Sequence, residues 1–449
     1  MFLSKCKKAG LVVGIILLLL VVVNKEPLSA SASTKTFSVS TYNVAGLPDI
    51  LTGENPQVNT SKISPLLNRY DLVAVQEDFA YHNDLIRETT HPYLTAHSGN
   101  VPFGDGMNFL SKFPIKDTKR ITWRQRHGFL GNGDDQLTPK GFMYSQMMVE
   151  PGVYVDVYTV HTDAGGDSGS LAARRDNMIQ LAEYINTHSA GNAVIVLGDT
   201  NSRYTRGDDN FEEVLLEATG LRDPWVDLVR NGMVPADGEA LMDGSNKNGV
   251  NFEVVDKVFY RSSPSLDLTA LSYRLEDSIF VDSNGQQLSD HYPIAVTFEY
   301  KKNLTIDMST AWGGSGGNAF NFLSNEAVVN SKPTSLTINA GARVDGLSMN
   351  YKNGTVLRQG GTGGTVKTLQ LAANEYLTEA TFYKKNYNGD NRIFYAEFKT
   401  NTGRVISGGT KTGEAMTITA PSGHYIAGFF GRAKDNIDQI GVISKVLSQ

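Results

Sequence analysis

Residues 153–199 hold three runs in sequence: VYVDVYTVHT (153–162), SLAARRDNMIQLAEYINTHS (170–189) and NAVIVLGD (192–199). The outer two are rich in Val, Ile and Tyr, as strands are. In the middle run Leu171, Met178, Leu181, Ala182 and Ile185 fall on one face of a 3.6-residue period. Strand, amphipathic helix and strand in that order predict an α/β layer. Four further runs share the strand composition: FSVSTYNV (37–44), DLVAVQE (71–77), FEVVDKVFY (252–260) and PIAVTFEY (293–300). One α/β domain is therefore expected over residues 36–300.

After Tyr300 the texture changes. KKNLTIDMSTA (301–311) is polar, so a linker is expected over residues 301–310. Residues 311–449 are rich in Gly, Thr and Asn, with short strand-like runs and no convincing amphipathic helix, and read as a separate all-β domain. At the other end Lys5, Lys7 and Lys8 precede an apolar run from Leu11 to Val23, followed by Ala30-Ser31-Ala32. The run is short for a membrane span, and the pattern predicts a secretory signal over residues 1–32, with an uncleaved anchor as the alternative.

The chain of 449 residues is long enough for two or three domains, each with its own core. Its single cysteine, Cys6, lies in the expected signal, so disulfides, a Cys nucleophile and Cys-ligated zinc are excluded from a mature secreted form. Removing residues 1–32 takes away four lysines and one glutamate and moves the formal charge from −6 to about −9. An acidic surface disfavours polyphosphate chains at long range, although a bound divalent cation could supply positive charge locally.

Polar residues recur at the ends of the expected strands: Asn43, Glu77, His161, Asp199 with Asn201, Asp256, and Asp290 with His291. Singly, each has a plain reading. Asn43 can cap a turn, Glu77 can pair with a surface lysine, GDTN (198–201) can be a strand-to-loop turn, Asp256 can be solvated beside Lys257, and His161 can be a satisfied core histidine. Six coincidences are harder to accept than one, because charge at the end of an apolar strand is costly unless paired or metal-bound. The types suit metal-assisted phosphodiester hydrolysis. Carboxylate and amide oxygens are hard ligands for Mg²⁺, and a neutral imidazole oriented by a carboxylate can take a proton from water. A His-Asp pair without a placed nucleophile argues for attack by water.

YNVAGLP (42–48), VAVQED (73–78), VHTDA (160–164), VLGDTN (196–201), VVDKVFY (254–260) and LSDHYPIAV (288–296) resemble, in sequence and order, the endonuclease/exonuclease/phosphatase superfamily. The resemblance implies an α/β four-layer sandwich. It also implies that Glu77 is the principal metal-binding carboxylate, with Asn43 beside it and Asp290 supporting the metal side. His291 would be the general base, Asp256 its orienting partner, Asp199 and Asn201 the groups that position water and phosphate, and His161 a phosphate contact. Mg²⁺ is the expected cofactor, with Mn²⁺ or another divalent cation as substitutes.

Within that superfamily FGDGMNFLSKFPI (103–115) and LTPKGFMYSQM (137–147) resemble secreted bacterial sphingomyelinases, which would place Lys140 and Phe142 on the headgroup side of the cleft. A loop-to-strand corner is the plain alternative. The aromatic-tipped hairpin of that group has no counterpart in SYRLEDSIFVDSNGQQ (272–287), so membrane contact must come from elsewhere.

AWGGSGGNAF (311–320), ARVDGLSMNY (342–351), NEYLTEATFY (374–383), IAGFFGRA (426–433) and NIDQIGV (436–442) resemble jacalin-like lectins, which fold as an all-β prism. Gly317, Asp435, Asn436 and Asp438 match that family's sugar-binding positions, and Lys434 stands where its sugar-binding members usually have Gly. A secreted Mg²⁺-dependent phosphodiesterase of phospholipase C type follows as the expectation, with a phospholipid headgroup favoured over nucleic acid, cell-surface glycans as partners and peripheral membrane contact. No protein partner is implied. An extracellular endonuclease and a glycan-binding adhesin with an inactive catalytic half are the alternatives.

Overall fold

The computed structural model describes residues 35–49, 55–129 and 135–447. The expected signal over residues 1–32 lies outside them. The first domain contains β1 (Lys35–Asn43), β2 (Leu72–Gln76), β3 (Tyr93–Leu94), β4 (Asn108–Ser111), β5 (Ile115–Thr122), β6 (Gly141–Glu150), β7 (Val153–His161), β8 (Ala193–Asp199), β9 (Asp256–Arg261), β10 (Leu266–Leu275) and β11 (Ile294–Lys302). They form a six-stranded sheet ordered β10-β11-β1-β2-β4-β3 and a five-stranded sheet ordered β5-β6-β7-β8-β9.

The two sheets pack face to face. Phe37, Val39, Ala74 and Val296 of the first meet Val155, Val157, Ile195 and Val258 of the second in one fully buried cluster. Residues one step along each strand point the other way and are covered by helices. Val73 and Val75 pack with Ile63 of the helix Pro56–Leu66, while Tyr158, Val194 and Val196 pack with Met178, Leu181 and Ile185 of the helix Ser168–His188. Burial on both faces explains why β2 and β8 read as continuous apolar runs. Helix, sheet, sheet and helix make the four layers. The Asp167 side chain accepts from the N–H groups of Gly169 and Ser170 and so caps the longer helix. Leu171, expected on its apolar face, is only half-buried, because the buried stripe begins instead at Ser170, Ala173 and Arg174.

Topology brings the polar residues together. β1 runs parallel to β2, pairing Asn43 with Gln76, and β7 runs parallel to β8, pairing His161 with Asp199. Parallel partners finish at the same end. β9 runs antiparallel to β8 and starts there, pairing Asp256 with Asp199, and β11 starts beside Thr41 of β1.

The second domain is built from β12 (Ile306–Met308), β13 (Trp312–Gly313), β14 (Asn318–Asn321), β15 (Pro333–Ala340), β16 (Val344–Tyr351), β17 (Val356–Gly360), β18 (Thr365–Gln370), β19 (Leu377–Tyr387), β20 (Asp390–Thr400), β21 (Val405–Gly409), β22 (Glu414–Thr419), β23 (His424–Ala433) and β24 (Ile437–Val446). Three sheets surround one core that includes Leu336, Phe382, Phe398, Phe429 and Ile440, which makes an all-β prism. Half of the segment expected as a linker is strand. Lys301 and Lys302 finish β11, and Ile306–Met308 pair with β24, leaving Asn303–Thr305 as the turn.

The domains pack closely at the end of the five-stranded sheet remote from His161 and Asp199. Asn321 Nδ2 donates to Asn192 Oδ1 at 2.7 Å, and Asn192 Nδ2 donates to buried Asp156 Oδ2 at 2.7 Å. Gly191 has φ +75°, and a Cβ there would come 2.6 Å from the Ser324 nitrogen, so this contact requires glycine.

Candidate active site

Asn43 ends β1 and is fully buried. Its Nδ2 donates to Glu77 Oε1 at 3.0 Å and to Asp199 Oδ2 at 3.1 Å, while its Oδ1 accepts from the Ala45 N–H at 3.1 Å. The amide thus joins the two sheets and separates two carboxylates. It presents its NH₂ to the cleft, where sequence reasoning expected a carbonyl ligand. Glu77 follows β2 with φ +57°, a left-handed conformation uncommon outside glycine. Gly106 is pressed against that residue, since a Cβ on it would lie 3.0 Å from Glu77 Cα. Burial raises the Glu77 carboxyl, against the Lys140 charge and the Asn43 hydrogen bond.

His291 faces this group from the mouth of β11. Its Nδ1 lies 2.8 Å from Asp256 Oδ2 and its Nε2 lies 3.7 Å from Asp199 Oδ2. An aspartate at Nδ1 keeps the proton there, so the lone pair of a neutral ring sits on Nε2, toward the cleft. Burial lowers the imidazole, but the charges of Asp256 and Asp199 and the Asp256 hydrogen bond outweigh it and hold the ring up to about 11. His161, buried at the end of β7, has Nε2 at 3.5 Å from Asp199 Oδ2 and 3.9 Å from Glu77 Oε1. Burial, then the Lys140 and His291 charges, push it well below the usual histidine range. Asp199 Oδ1 accepts from the Asn201 N–H at 3.0 Å, and Asn201 itself adopts φ +47°.

Seven of the expected residues therefore surround one cleft: Asn43, Glu77, His161, Asp199, Asn201, Asp256 and His291. Asp290 does not converge with them. It is exposed, and among the described residues its Oδ1 accepts from the Ser289 hydroxyl at 3.3 Å, so it touches the group through its charge on His291 rather than by a hydrogen bond. Phe142 is fully buried on the helix-covered face of β6, packed on Trp123 at 5.1 Å and Tyr184 at 5.0 Å, so it offers no wall to a ligand. Lys140, which precedes β6, pairs with Asp135 and acts on Glu77, His161 and Asp199 through its charge.

Sequence reasoning missed the supports. Ser289 Oγ donates to the Asn43 carbonyl at 2.7 Å, and Gln76 Nε2 donates to Thr159 Oγ1 at 2.9 Å across the sheet interface. It also missed Asp78, His82 and His97, whose ligand atoms lie within 4.8 Å of one another beside Glu77. The signals available were the adjacency of Asp78 to Glu77 and the i, i+4 spacing of Asp78 and His82, which opens the short helix His82–Ile86, whereas a loop brings in His97.

The donor set fits a divalent cation. Asp199, Asp256 and His291 also offer ligand atoms within 4.8 Å of one another. Asp256 Oδ1 and His161 Nδ1 are buried without a hydrogen-bond partner. Crowded, buried carboxylates with spare lone pairs are the chemistry a hard cation relieves.

On the prism, Gly317 has φ +64°, and a Cβ there would fall 2.6 Å from Asp438 Oδ2. Asp438 is buried, 3.6 Å from Arg392 Nε. Asn436 is buried and its Oδ1 accepts from Arg343, while Asp435 is exposed. Lys434 is not among the residues with positive φ, so its backbone does not call for glycine.

Residues 49–253 match the family model described as endonuclease/exonuclease/phosphatase family 2, and residues 309–443 match the jacalin-like lectin domain. A sphingomyelinase of Mycobacterium bovis is 40% identical over 273 residues, covering 59% of this chain and 53% of the relative. The chain thus spans about half the length of that relative. Horcolin of Hordeum vulgare is 33% identical over 139 residues, covering 29% of this chain and 90% of the lectin. The crystal structure of sphingomyelinase C from Streptomyces griseocarneus aligns with a TM-score of 0.42 at 19% identity, covering 59% of this chain and 99% of that one.

Proposed function

We propose, for a chain that belongs to the endonuclease/exonuclease/phosphatase family and ends in a jacalin-like lectin domain, that it is an Mg²⁺-dependent phosphodiesterase of sphingomyelinase type. The observation that carries the reading is the His291–Asp256 pair facing Asp199, across from Glu77 and Asn43.

Asp256 keeps the proton on Nδ1 of His291, leaving Nε2 to accept a proton from the attacking water. Asp199 and Asn201 orient the water and the phosphate. His161, kept neutral by burial and by the Lys140 and His291 charges, donates its one ring N–H to a phosphate oxygen. Lys140 adds positive charge where the phosphoryl group gains negative charge. Glu77 and the Asp199 side of the cleft would hold the cation. When bound, Mg²⁺ would polarise the phosphoryl oxygen and offset the carboxylate charge that favours the protonated imidazole.

The substrate assignment is supported by the 40% identity to a sphingomyelinase and by the acidic charge balance, which disfavours nucleic acid. The lectin domain would carry the enzyme to glycans, and the N-terminal pattern Lys5 to Ala32 supports secretion. The deciding experiment presents the protein with sphingomyelin, phosphatidylcholine, DNA and RNA side by side, with and without Mg²⁺. Phosphocholine release from sphingomyelin that requires Mg²⁺ is expected. Cleavage of DNA or RNA with no lipid turnover would replace the reading with a nuclease.

A further inference from the structure

One edge of the cleft carries an unusual amount of exposed apolar side chain. In the segment 228–250, Met233 and Met242 are 62% and 65% exposed, and Leu228, Val234 and Val250 are also exposed. These residues do not sit on a loose loop. The guanidinium of Arg230 is buried, lies 5.6 Å over the Trp225 ring, and donates to the carbonyls of Met233 at 3.0 Å and Val250 at 2.8 Å. Met242 and Phe252 face each other as an antiparallel bridge, and the Asp243 N–H donates to the Asn251 carbonyl at 3.0 Å. A closed ribbon results, with its apolar side chains held outward.

The ribbon is tied to the catalytic residues on two sides. Arg203, two residues after Asn201, reaches Met242 Sδ at 2.7 Å and the Glu253 carbonyl at 2.9 Å. Phe252 meets Tyr292 edge-on at 5.9 Å, and Lys247 Nζ stands 5.4 Å over the same ring, next in sequence to His291. Several exposed apolar side chains held beside a site mark contact with something apolar, and methionine adapts to an irregular partner.

We propose that the ribbon 228–252 is a membrane-contacting surface that seats the cleft on a zwitterionic, phosphocholine-headed bilayer. The proposal rests on the reading that the substrate is a phospholipid. Charge selects the kind of surface. At a formal −6 the chain is repelled by anionic lipid, and the ribbon itself, with Arg230 and Lys247 against Asp237, Glu239 and Asp243, adds no positive charge that would draw it to such a surface. Lipid that contacts Met242 is one side chain away from the loop that carries Asn201, so headgroups would enter the cleft without leaving the bilayer plane.

The test is sedimentation of the whole protein with vesicles of phosphatidylcholine alone, in EDTA, against vesicles containing phosphatidylserine. Neither lipid carries a glycan, so the lectin domain is silent. Wild type is expected to bind phosphatidylcholine vesicles and to bind the anionic ones less. The double variant Met233→Ser/Met242→Ser should bind roughly tenfold more weakly. Its turnover of bilayer sphingomyelin should fall in step, with hydrolysis of soluble p-nitrophenylphosphorylcholine and the melting temperature unchanged. A wild type that stays in the supernatant, or a double variant that binds as wild type does, overturns the surface assignment. Vesicle binding by a protein that cleaves DNA and no lipid leaves the surface standing and overturns the lipid-substrate reading.

Discussion

His291 and Asp256 meet through a 2.8 Å contact between Nδ1 and Oδ2, although they belong to the mouths of strands in different sheets. The contact exists because β9 and β11 both begin at the end where β1, β2, β7 and β8 finish. Neither residue needs the other for its strand to form. The pair is therefore a product of the sandwich and serves what lies between the sheets.

Removing either member should remove activity with little effect on the fold. His291 is part-exposed at the cleft, so His291→Ala is expected to lower kcat about 10²- to 10⁴-fold on a soluble phosphodiester while leaving the circular dichroism spectrum intact. Asp256→Asn should fall in the same range, because the amide can no longer hold the proton at Nδ1. Turnover within a fewfold of wild type in His291→Ala would dismiss the imidazole as the base.

Chelation should stop the reaction, and Mg²⁺ should restore it. The same ion should also stabilise the fold, because Glu77 and Asp199 are raised by burial and a cation would relieve their repulsion. Free Mg²⁺ at a hundred times its dissociation constant would contribute about 2.7 kcal/mol, seen as a higher melting temperature. Glu77→Gln should lose most of that shift. A melting temperature indifferent to Mg²⁺, together with activity in excess EDTA, would remove the ion from the mechanism.

The α/β layers were legible because both parallel pairs are buried on two faces and therefore read as apolar runs. β6 and β10 were not. GFMYSQMMVE mixes Ser and Gln into a strand whose partners are all local, and LDLTALSYRL alternates around a bulge at Ala270 and Ser272. The seven cleft residues were legible because each is a polar group at an apolar strand end. Phe142 misled because its side chain takes the helix-covered side of β6. A one-residue step along a strand reverses the face, and the order of motifs carries no information about that. The Asp78, His82 and His97 cluster joins the start of a short helix to a loop, and the amide contact between Asn192 and Asn321 depends on docking, so neither is carried by a single run of residues.

Acid should loosen the domain contact. His188 ends the long helix, stacks on Tyr184 at 3.9 Å and feels Arg432 of the prism and Lys119 of β5. Burial first, then those two cations, lower its pKa from 6.5 to about 4. A histidine depressed in the folded state contributes stability that is fully present above pH 6.5 and is lost as pH falls toward 4. Thermal unfolding followed from pH 7.5 to 4.5 is expected to show a falling melting temperature that His188→Gln flattens. Asn321→Ala should weaken the same contact at every pH and separate the unfolding of the two domains into two transitions. A single transition in Asn321→Ala, with an unchanged pH slope in His188→Gln, would mean that the contact adds little.

Glycan recognition by the prism should depend on Asp438 and tolerate Lys434. Asp438 is buried against the Gly317 turn, so its carboxylate is already oriented before any ligand arrives. Gly317→Ala would push a methyl group to within 2.6 Å of that carboxylate and would also strain a φ of +64°. A glycan array followed by calorimetry on the strongest hit is expected to show binding in wild type and a loss of about tenfold or more in both Gly317→Ala and Asp438→Ala, in line with a charged hydrogen bond. Lys434→Gly is expected to gain nothing from backbone relief, because Lys434 does not adopt a positive φ. Stronger binding in that variant would show instead that the lysine side chain covers the pocket. No binding by wild type across the array would make the prism a packing partner of the catalytic domain and move targeting to the methionine ribbon alone.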